Sequence, residues 1–251
     1  MKFGLIGNPI SHSLSPILFR AAYPYSEDTY DLIESHDFEK AFNRFQSEGY
    51  TGINITAPYK ERITGIGAER DRDVINTGSA NTLINRDGRL ILYNTDIYGV
   101  ANSLGDLVSK DSSVLILGYG GAGKAAAYTL SGKGCRVNVV NRTPARKAGA
   151  AWEDQVGFAL PGSLTGLVRI SEIVVNTLPL VPEYLKEADF CRKVILDANY
   201  KGENLSYTQS CKGVIYIPGT RWLLEQAAVS FRLFTGREPD YSSMKSVTDN
   251  L

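Results

Sequence analysis

Short apolar runs, broken by glycine turns and by stretches with helical periodicity, repeat along the whole chain. Lys2–Gly7 (KFGLIG) is an apolar run that ends at a glycine and predicts a first strand. Pro16 suits a helix first turn, and residues 17–22 continue with helical spacing. Residues 30–33 predict a second strand. Phe38, Ala41, Phe42 and Phe45 then recur at helical spacing over 37–47, with Gly49 as the stop. Residues 50–56 predict a third strand, with Ala57, Pro58, Tyr59 and Lys60 at its end. The runs 81–84 and 90–93 flank Arg86-Asp87-Gly88 and read as a hairpin with Asp-Gly at its turn. Thr95 and Asp96 open a helix that reaches Leu107.

The second half repeats the alternation. A strand at 114–117 leads into a glycine turn, a helix at 124–130 and a strand at 135–140. Further buried strands are predicted at 172–176, 193–196 and 214–217, with Pro179 and Pro182 breaking the chain between the first two. Gly219 leads into a long helical segment, 222–234, whose apolar face includes Leu223, Ala227, Phe231 and Phe234. Strands alternating with helices predict parallel α/β sheets with right-handed crossovers. The pattern divides into a domain of residues 1–97 and a second βα series over 98–218. Residues 219–251 are expected to return to the first domain, because the second sheet is already complete. The cleft between two such domains is the default site.

The glycine turn carries the most specific chemistry. Gly118, Gly120 and Gly123 give G-x-G-x-x-G between a strand and a helix, with Gly121 and Ala122 inside the turn. Gly118 permits the tight turn, Gly120 lets backbone approach a pyrophosphate, and Gly123 lets the helix pack on the strand. The helix N-terminus offers unpaired N–H groups to phosphate. An NAD site has an Asp or Glu about 20 residues further on. Here Asn141 stands there, followed by Arg142, Thr143 and Arg146. Arginine binds phosphate through charge-assisted bonds of about 1.5–3 kcal/mol each. One or two such bonds favour the phosphorylated cofactor about tenfold to several hundredfold, so the expected cofactor is NADP.

Composition narrows the class. The 251 residues are 43% hydrophobic and 22% charged, which suits a soluble protein of one large or two modest domains. Lys plus Arg equals Asp plus Glu at 27 each, so no basic excess points to nucleic acid or an anionic membrane. The N-terminus lacks the pattern of a signal peptide, and no apolar run has the length of a membrane span. Cys135, Cys191 and Cys211 are odd in number and scattered, and read as reduced thiols; the expected compartment is the cytoplasm. With only His12 and His36, no metal site is expected. Nothing in the sequence selects between a monomer and a homodimer.

Three polar clusters fall at strand ends or turns, where open α/β sheets bind ligands. They are Ser11, Ser13 and Ser15; Asn54, Thr56 and Lys60; and Asn81 with Thr95 and Asp96. Their hydroxyls and amides would hold an oxygen-rich small molecule, with Lys60 and Asp96 as an acid–base pair. Each has a plainer reading alone: a serine cap, a surface lysine, an aspartate N-cap.

Taken in order, GNPISHSLSP, GINITAPYKE, SANTL, YNTDIYG, LGYGGAGKA, NRT and EQAAVSFRLFTG resemble the shikimate dehydrogenase family over nearly the whole chain. The resemblance implies an N-terminal α/β substrate domain completed by the C-terminal helices, plus a Rossmann domain. It implies reversible NADPH-dependent reduction of 3-dehydroshikimate to shikimate, in aromatic amino-acid biosynthesis. It also implies residue roles. Lys60 and Asp96 match the catalytic pair. Ser13 and Ser15 match the hydroxyls that hold the substrate carboxylate, and Thr56, Asn81, Gln226 and Tyr200 match further substrate contacts. Asn141, Arg142, Thr143 and Arg146 match the cofactor-phosphate element, and Gly219 joins the cofactor set. The chain departs from the family at Phe19-Arg20, at Asn176–Pro179, after Tyr200, and at Arg221-Trp222. The same-class alternative is a quinate/shikimate dehydrogenase that uses NAD. The different-class alternative is a catalytically silent NADP/shikimate sensor.

Overall fold

The computed structural model describes residues 1–24, 27–143, 149–202 and 204–250. The chain divides into two compact units, Met1–Tyr98 with Leu224–Leu251, and Gly99–Leu223.

The first unit contains β1 (Lys2–Gly7), α1 (Ser15–Ala22), β2 (Thr29–Glu34), α2 (Phe38–Ser47), β3 (Gly52–Ile55), β4 (Glu69–Arg70), α3 (Arg72–Thr77), β5 (Thr82–Arg86) and β6 (Arg89–Tyr93). Its sheet has the order β2-β1-β3-β5-β6-β4. The strand–helix alternation predicts a parallel sheet, but this one is mixed: β1 is parallel to β2 and β3, β5 and β6 form the antiparallel hairpin read at Asp87-Gly88, and β5 is also antiparallel to β3. Two local features reverse it. Asp87 and Gly88 both take positive φ, 52° and 87°, the backbone that closes a two-residue hairpin. The segment after β3 also starts and ends at one end of the sheet. Ile55 N–H donates to the Asn81 carbonyl, and Ala80 N–H to the Lys60 carbonyl, both at 2.8 Å. A strand that begins where its neighbour ends must run the other way.

Helix α2 places Phe38, Ala41, Phe42 and Phe45 against Ile53, Leu83 and Leu92 on one side of the sheet. The aromatic residues Phe3, Phe19, Phe231 and Phe234 are buried together; Phe3 stacks on Phe234 at 5.0 Å, and Phe19 tilts against Phe231 at 5.4 Å. Burying each such side chain contributes about 1.5–3 kcal/mol. These contacts fix the C-terminal part of α7 (Gly219–Thr235) to the first sheet.

The chain leaves the first unit inside α4 (Asp96–Leu104) and returns inside α7. The second unit adds β7 (Ser113–Leu117), α5 (Gly121–Gly132), β8 (Arg136–Val140), β9 (Gly157–Ala159), α6 (Leu164–Ile170), β10 (Ile173–Asn176), β11 (Val194–Asp197) and β12 (Ile215–Ile217). Its strands are all parallel, in the order β12-β11-β10-β7-β8-β9. From β7 the chain grows one way through β8 and β9, then the other way from β10. That reversal beside β7 is the switch point at which such sheets bind ligands. The two faces follow the alternation of the strands. Val114 and Ile116 pack with Ala126 and Leu130 of α5, and Leu115 and Leu117 pack with Leu164 and Val168 of α6.

Helix α8 (Tyr241–Asp249) closes the chain. Besides α8, for which the sequence pattern sets no bounds, the elements it leaves unassigned are β4, α3, β9 and α6. They have 2, 6, 3 and 7 residues, too short for a period to register. Among the described residues no helix is long and apolar enough to cross a membrane.

Candidate functional site

Strand β3 ends in a turn that delivers Lys60, and Asp96 is the first residue of α4. Lys60 Nζ lies 2.6 Å from Asp96 Oδ2, with the two side chains 17% and 5% exposed. Such a buried carboxylate needs a partner, and this lysine provides one.

Beside that pair lies a buried polar network. Asn81 precedes β5; its Oδ1 accepts from the Thr95 N–H at 2.7 Å, and its Nδ2 donates to Thr95 Oγ1 at 2.9 Å and Gln226 Oε1 at 3.1 Å. One turn along α7, Ser230 Oγ lies 3.0 Å from both Thr82 Oγ1 and Thr95 Oγ1, and accepts from Asn54 Nδ2 at 3.1 Å. The Tyr30 hydroxyl donates to Asn54 Oδ1 at 2.8 Å. Ser15, Asn54, Gln226 and Ser230 also line a cavity of about 20 Å³, enough for one water. The sequence reading omits Tyr30, Thr82 and Ser230. The spacing of four between Gln226 and Ser230, which puts both on one helix face, was the available signal for Ser230.

Ser13 and Ser15 meet at the entry to α1, where Ser13 Oγ donates to Ser15 Oγ at 3.2 Å. The residue at the cap position is Leu14, so neither serine caps the helix from there. Thr56 sits half-buried at the end of β3, its N–H donating to the Ile6 carbonyl. Phe19, a departure from the family pattern, is a core residue that packs on Phe3, Tyr30 and Phe231.

Tyr200 belongs to the second unit and is half-buried just past β11. Asp197, the last residue of that strand, fastens the loop that carries it. The Asp197 carboxylate accepts from Asn199 N–H, Leu205 N–H and Asn176 Nδ2 at 3.0, 2.6 and 3.1 Å. Burial pushes this carboxyl above its ordinary value, and the three hydrogen bonds pull the other way. The LDANY motif contains Asp197, but the sequence alone singles out only the tyrosine.

At the switch point, Gly118 has φ +93°, and a Cβ on Gly123 would stand 2.2 Å from the Gly118 carbonyl oxygen. Both positions require glycine. Gly120 is exposed, with nothing within 4 Å of where its Cβ would be. No side chain caps α5, so the amides of Gly121, Ala122 and Gly123 open its first turn. A bare backbone cradle at a helix N-terminus fits a dinucleotide pyrophosphate. Asn141 ends β8's path beside it: its Oδ1 accepts from Tyr119 N–H at 3.3 Å, and its Nδ2 donates to the Thr143 carbonyl at 2.9 Å. Arg142 and Thr143 are exposed, and Arg146 lies outside the described residues. Gly219 starts α7 against the chain after β11, where a Cβ would stand 2.7 Å from Asn199 backbone carbon. Trp222, another departure, is buried in the second unit's core, with its ring close to Gly99.

Comparison with known proteins gives a consistent picture. Residues 5–83 match the family model described as shikimate dehydrogenase substrate binding domain, and residues 219–247 match the shikimate 5'-dehydrogenase C-terminal domain. A shikimate dehydrogenase (NADP(+)) of Pyrococcus furiosus is 37% identical over 260 residues, covering 98% of this chain and 94% of its own. The crystal structure of shikimate dehydrogenase from Aquifex aeolicus superposes with a TM-score of 0.85 at 29% identity, covering 98% of this chain and 96% of that one. The shikimate 5-dehydrogenase of Thermus thermophilus, solved in complex with NADP(H) and shikimate, has a TM-score of 0.82 at 26% identity, covering 100% and 99%.

Proposed function

The chain belongs to the shikimate dehydrogenase family, and from that premise we propose that Lys60 and Asp96 are the acid–base pair of its reaction. The protein is an NADP-dependent oxidoreductase that interconverts 3-dehydroshikimate and shikimate. The observation that carries the residue assignment is the 2.6 Å pair between Lys60 Nζ and Asp96 Oδ2, beside the amides of Asn81 and Gln226.

The reduction adds a hydride to the carbonyl carbon and a proton to its oxygen. NADPH, when held by the glycine turn with Arg142 and Thr143 at its phosphate, supplies the hydride. Lys60 Nζ gives its proton to the oxygen as negative charge develops there, and takes it back in the reverse direction. Asp96 Oδ2 holds the ammonium in line and accepts a hydrogen bond from a neighbouring substrate hydroxyl. The Ser13 and Ser15 hydroxyls donate to the substrate carboxylate. Asn81, Gln226 and Thr56 fix the ring hydroxyls and so orient the carbonyl toward Lys60. The free thiols of Cys135, Cys191 and Cys211 support a reducing compartment, the cytoplasm.

The test crosses shikimate and quinate with NADP and NAD while following the reduced nicotinamide. Shikimate with NADP is expected to give the highest kcat/KM. No turnover of shikimate with either cofactor overturns the reading, and equal kcat/KM with NAD and NADP removes the role given to Arg142.

A further inference from the structure

The second residue of the glycine turn is the bulky Tyr119, and it is 5% exposed. Its ring packs edge-on against Phe158 at 4.9 Å, and its hydroxyl donates to Oε1 of Glu153. Glu153 is 1% exposed, an unusual place for a carboxylate, and its position is tightly determined. Its Oε2 accepts from the N–H groups of Gly149 and Ala150 at 2.8 and 3.2 Å. The other end of Tyr119 leads to the phosphate element. Its N–H donates to Asn141 Oδ1, and Asn141 Nδ2 donates to the Thr143 carbonyl, so the Asn141 side chain spans Arg142.

We propose that Tyr119 and Glu153 are positioning residues for NADP selection: the buried carboxylate fixes Tyr119, Tyr119 fixes Asn141, and Asn141 fixes the backbone that carries Arg142. The assignment rests on the reading of Arg142 as the contact of the adenosine 2′-phosphate. Exposed arginine has many rotamers, and fixing the backbone on both sides of it lowers the entropy lost when its guanidinium engages a phosphate. The buried carboxylate suits this task. Two backbone N–H groups and one phenol donate to it, and removing the phenol takes one donor from a desolvated carboxylate. The proposed route to the ligand runs from the Tyr119 N–H through Asn141 to Arg142, so the effect falls on a cofactor that carries the 2′-phosphate.

The experiment measures the Kd of NADPH and of NADH by nucleotide fluorescence in the full chain, for wild type, Tyr119→Phe, Arg142→Ala and the double variant. Phenylalanine keeps the ring and its packing on Phe158, and Glu153→Gln serves as the second variant at the other end of the bond. Tyr119→Phe is expected to weaken NADPH about tenfold and to leave NADH within about twofold. In the Arg142→Ala background it is expected to have no further effect on NADPH, the non-additivity of coupled residues. Equal weakening of NADPH and NADH, no weakening of either, or full additivity with Arg142→Ala each overturns the positioning role. If Arg142→Ala itself leaves the ratio of NADPH to NADH affinity unchanged, the phosphate reading falls, and the positioning role with it.

Discussion

Individual side chains divide the work between chemistry and placement. Lys60 and Asp96 are 36 residues apart in sequence and share one hydrogen bond of 2.6 Å. Lys60→Ala removes the proposed proton donor, and kcat is expected to fall about 10²–10⁴-fold. The Kd for NADPH should remain within about twofold, since the proposed phosphate contacts are the glycine turn and Arg142. Retention of most turnover in that variant would remove Lys60 from its role. Ser230 acts through its neighbours: it joins Asn54, Thr82 and Thr95 behind Asn81 and Gln226. Ser230→Ala removes one hydrogen bond from each of those three partners, all of which keep others, at a net cost of about 0.5–1.5 kcal/mol per bond. Its expected signature is a KM for shikimate raised about tenfold with the KM for NADP unchanged. Equal changes in both constants would mark it as a general stability residue. In the sequence, Lys60 and Asp96 were legible as a candidate acid–base pair, whereas Ser230 was not, because its bonds to Asn54, Thr82 and Thr95 close across the fold.

Helices and turns carry the second set of expectations. Helix α8 starts at Asp240, whose carboxylate accepts from the Ser243 N–H at 3.0 Å and from the hydroxyls of Ser242 and Ser243 at 2.7 Å. These bonds, the Ser243 N–H first, hold its pKa down to about 2. A depressed carboxylate stabilises the fold above its ordinary pKa and loses that contribution as pH falls through the folded value. Asp240→Asn keeps the cap and removes the charge. Wild type should therefore be more stable than the variant at neutral pH, and the difference should shrink between about pH 4 and pH 2, measured by urea unfolding. Asp71, the cap of α3, gives the opposite sign: burial pushes its carboxyl up. At the start of α7, Gly219→Ala forces a methyl group against the backbone of Ala198 and Asn199. That overpacking should cost about 1–3 kcal/mol in the same measurement. Element existence was legible where a period had room to repeat, as in α2 and the longer strands of the second sheet. The six residues of α3 and the two of β4 offer no period, and their positions follow from caps and neighbours.

At the scale of the molecule, each unit has its own sheet and buried core. NADPH that binds only the folded state stabilises it by mass action, by about 2.7 kcal/mol when its concentration is a hundred times Kd. Thermal unfolding should therefore move upward with NADPH concentration. At matched concentrations the shift should be smaller with NADH, which lacks the phosphate that Arg142 is proposed to read. Equal shifts with both nucleotides would argue that the basic residues after β8 do not reach the ligand.

The sequence alone determined that the chain is α/β, where its longer strands and helices lie, and that a glycine turn sits between a strand and a helix. It also carried the family resemblance, because these are local properties: hydrophobic period, turn chemistry and motif order. The tertiary structure decided the rest. It reversed β5 within the first sheet, since the segment after β3 begins and ends at one sheet end. It brought Gln226 to Asn81 across 145 positions of sequence. It set Glu153 beneath Tyr119, so that a residue with no motif of its own meets the glycine turn. Contacts of that kind depend on how separate elements pack, and packing is a property of the whole folded chain, to which no local period responds.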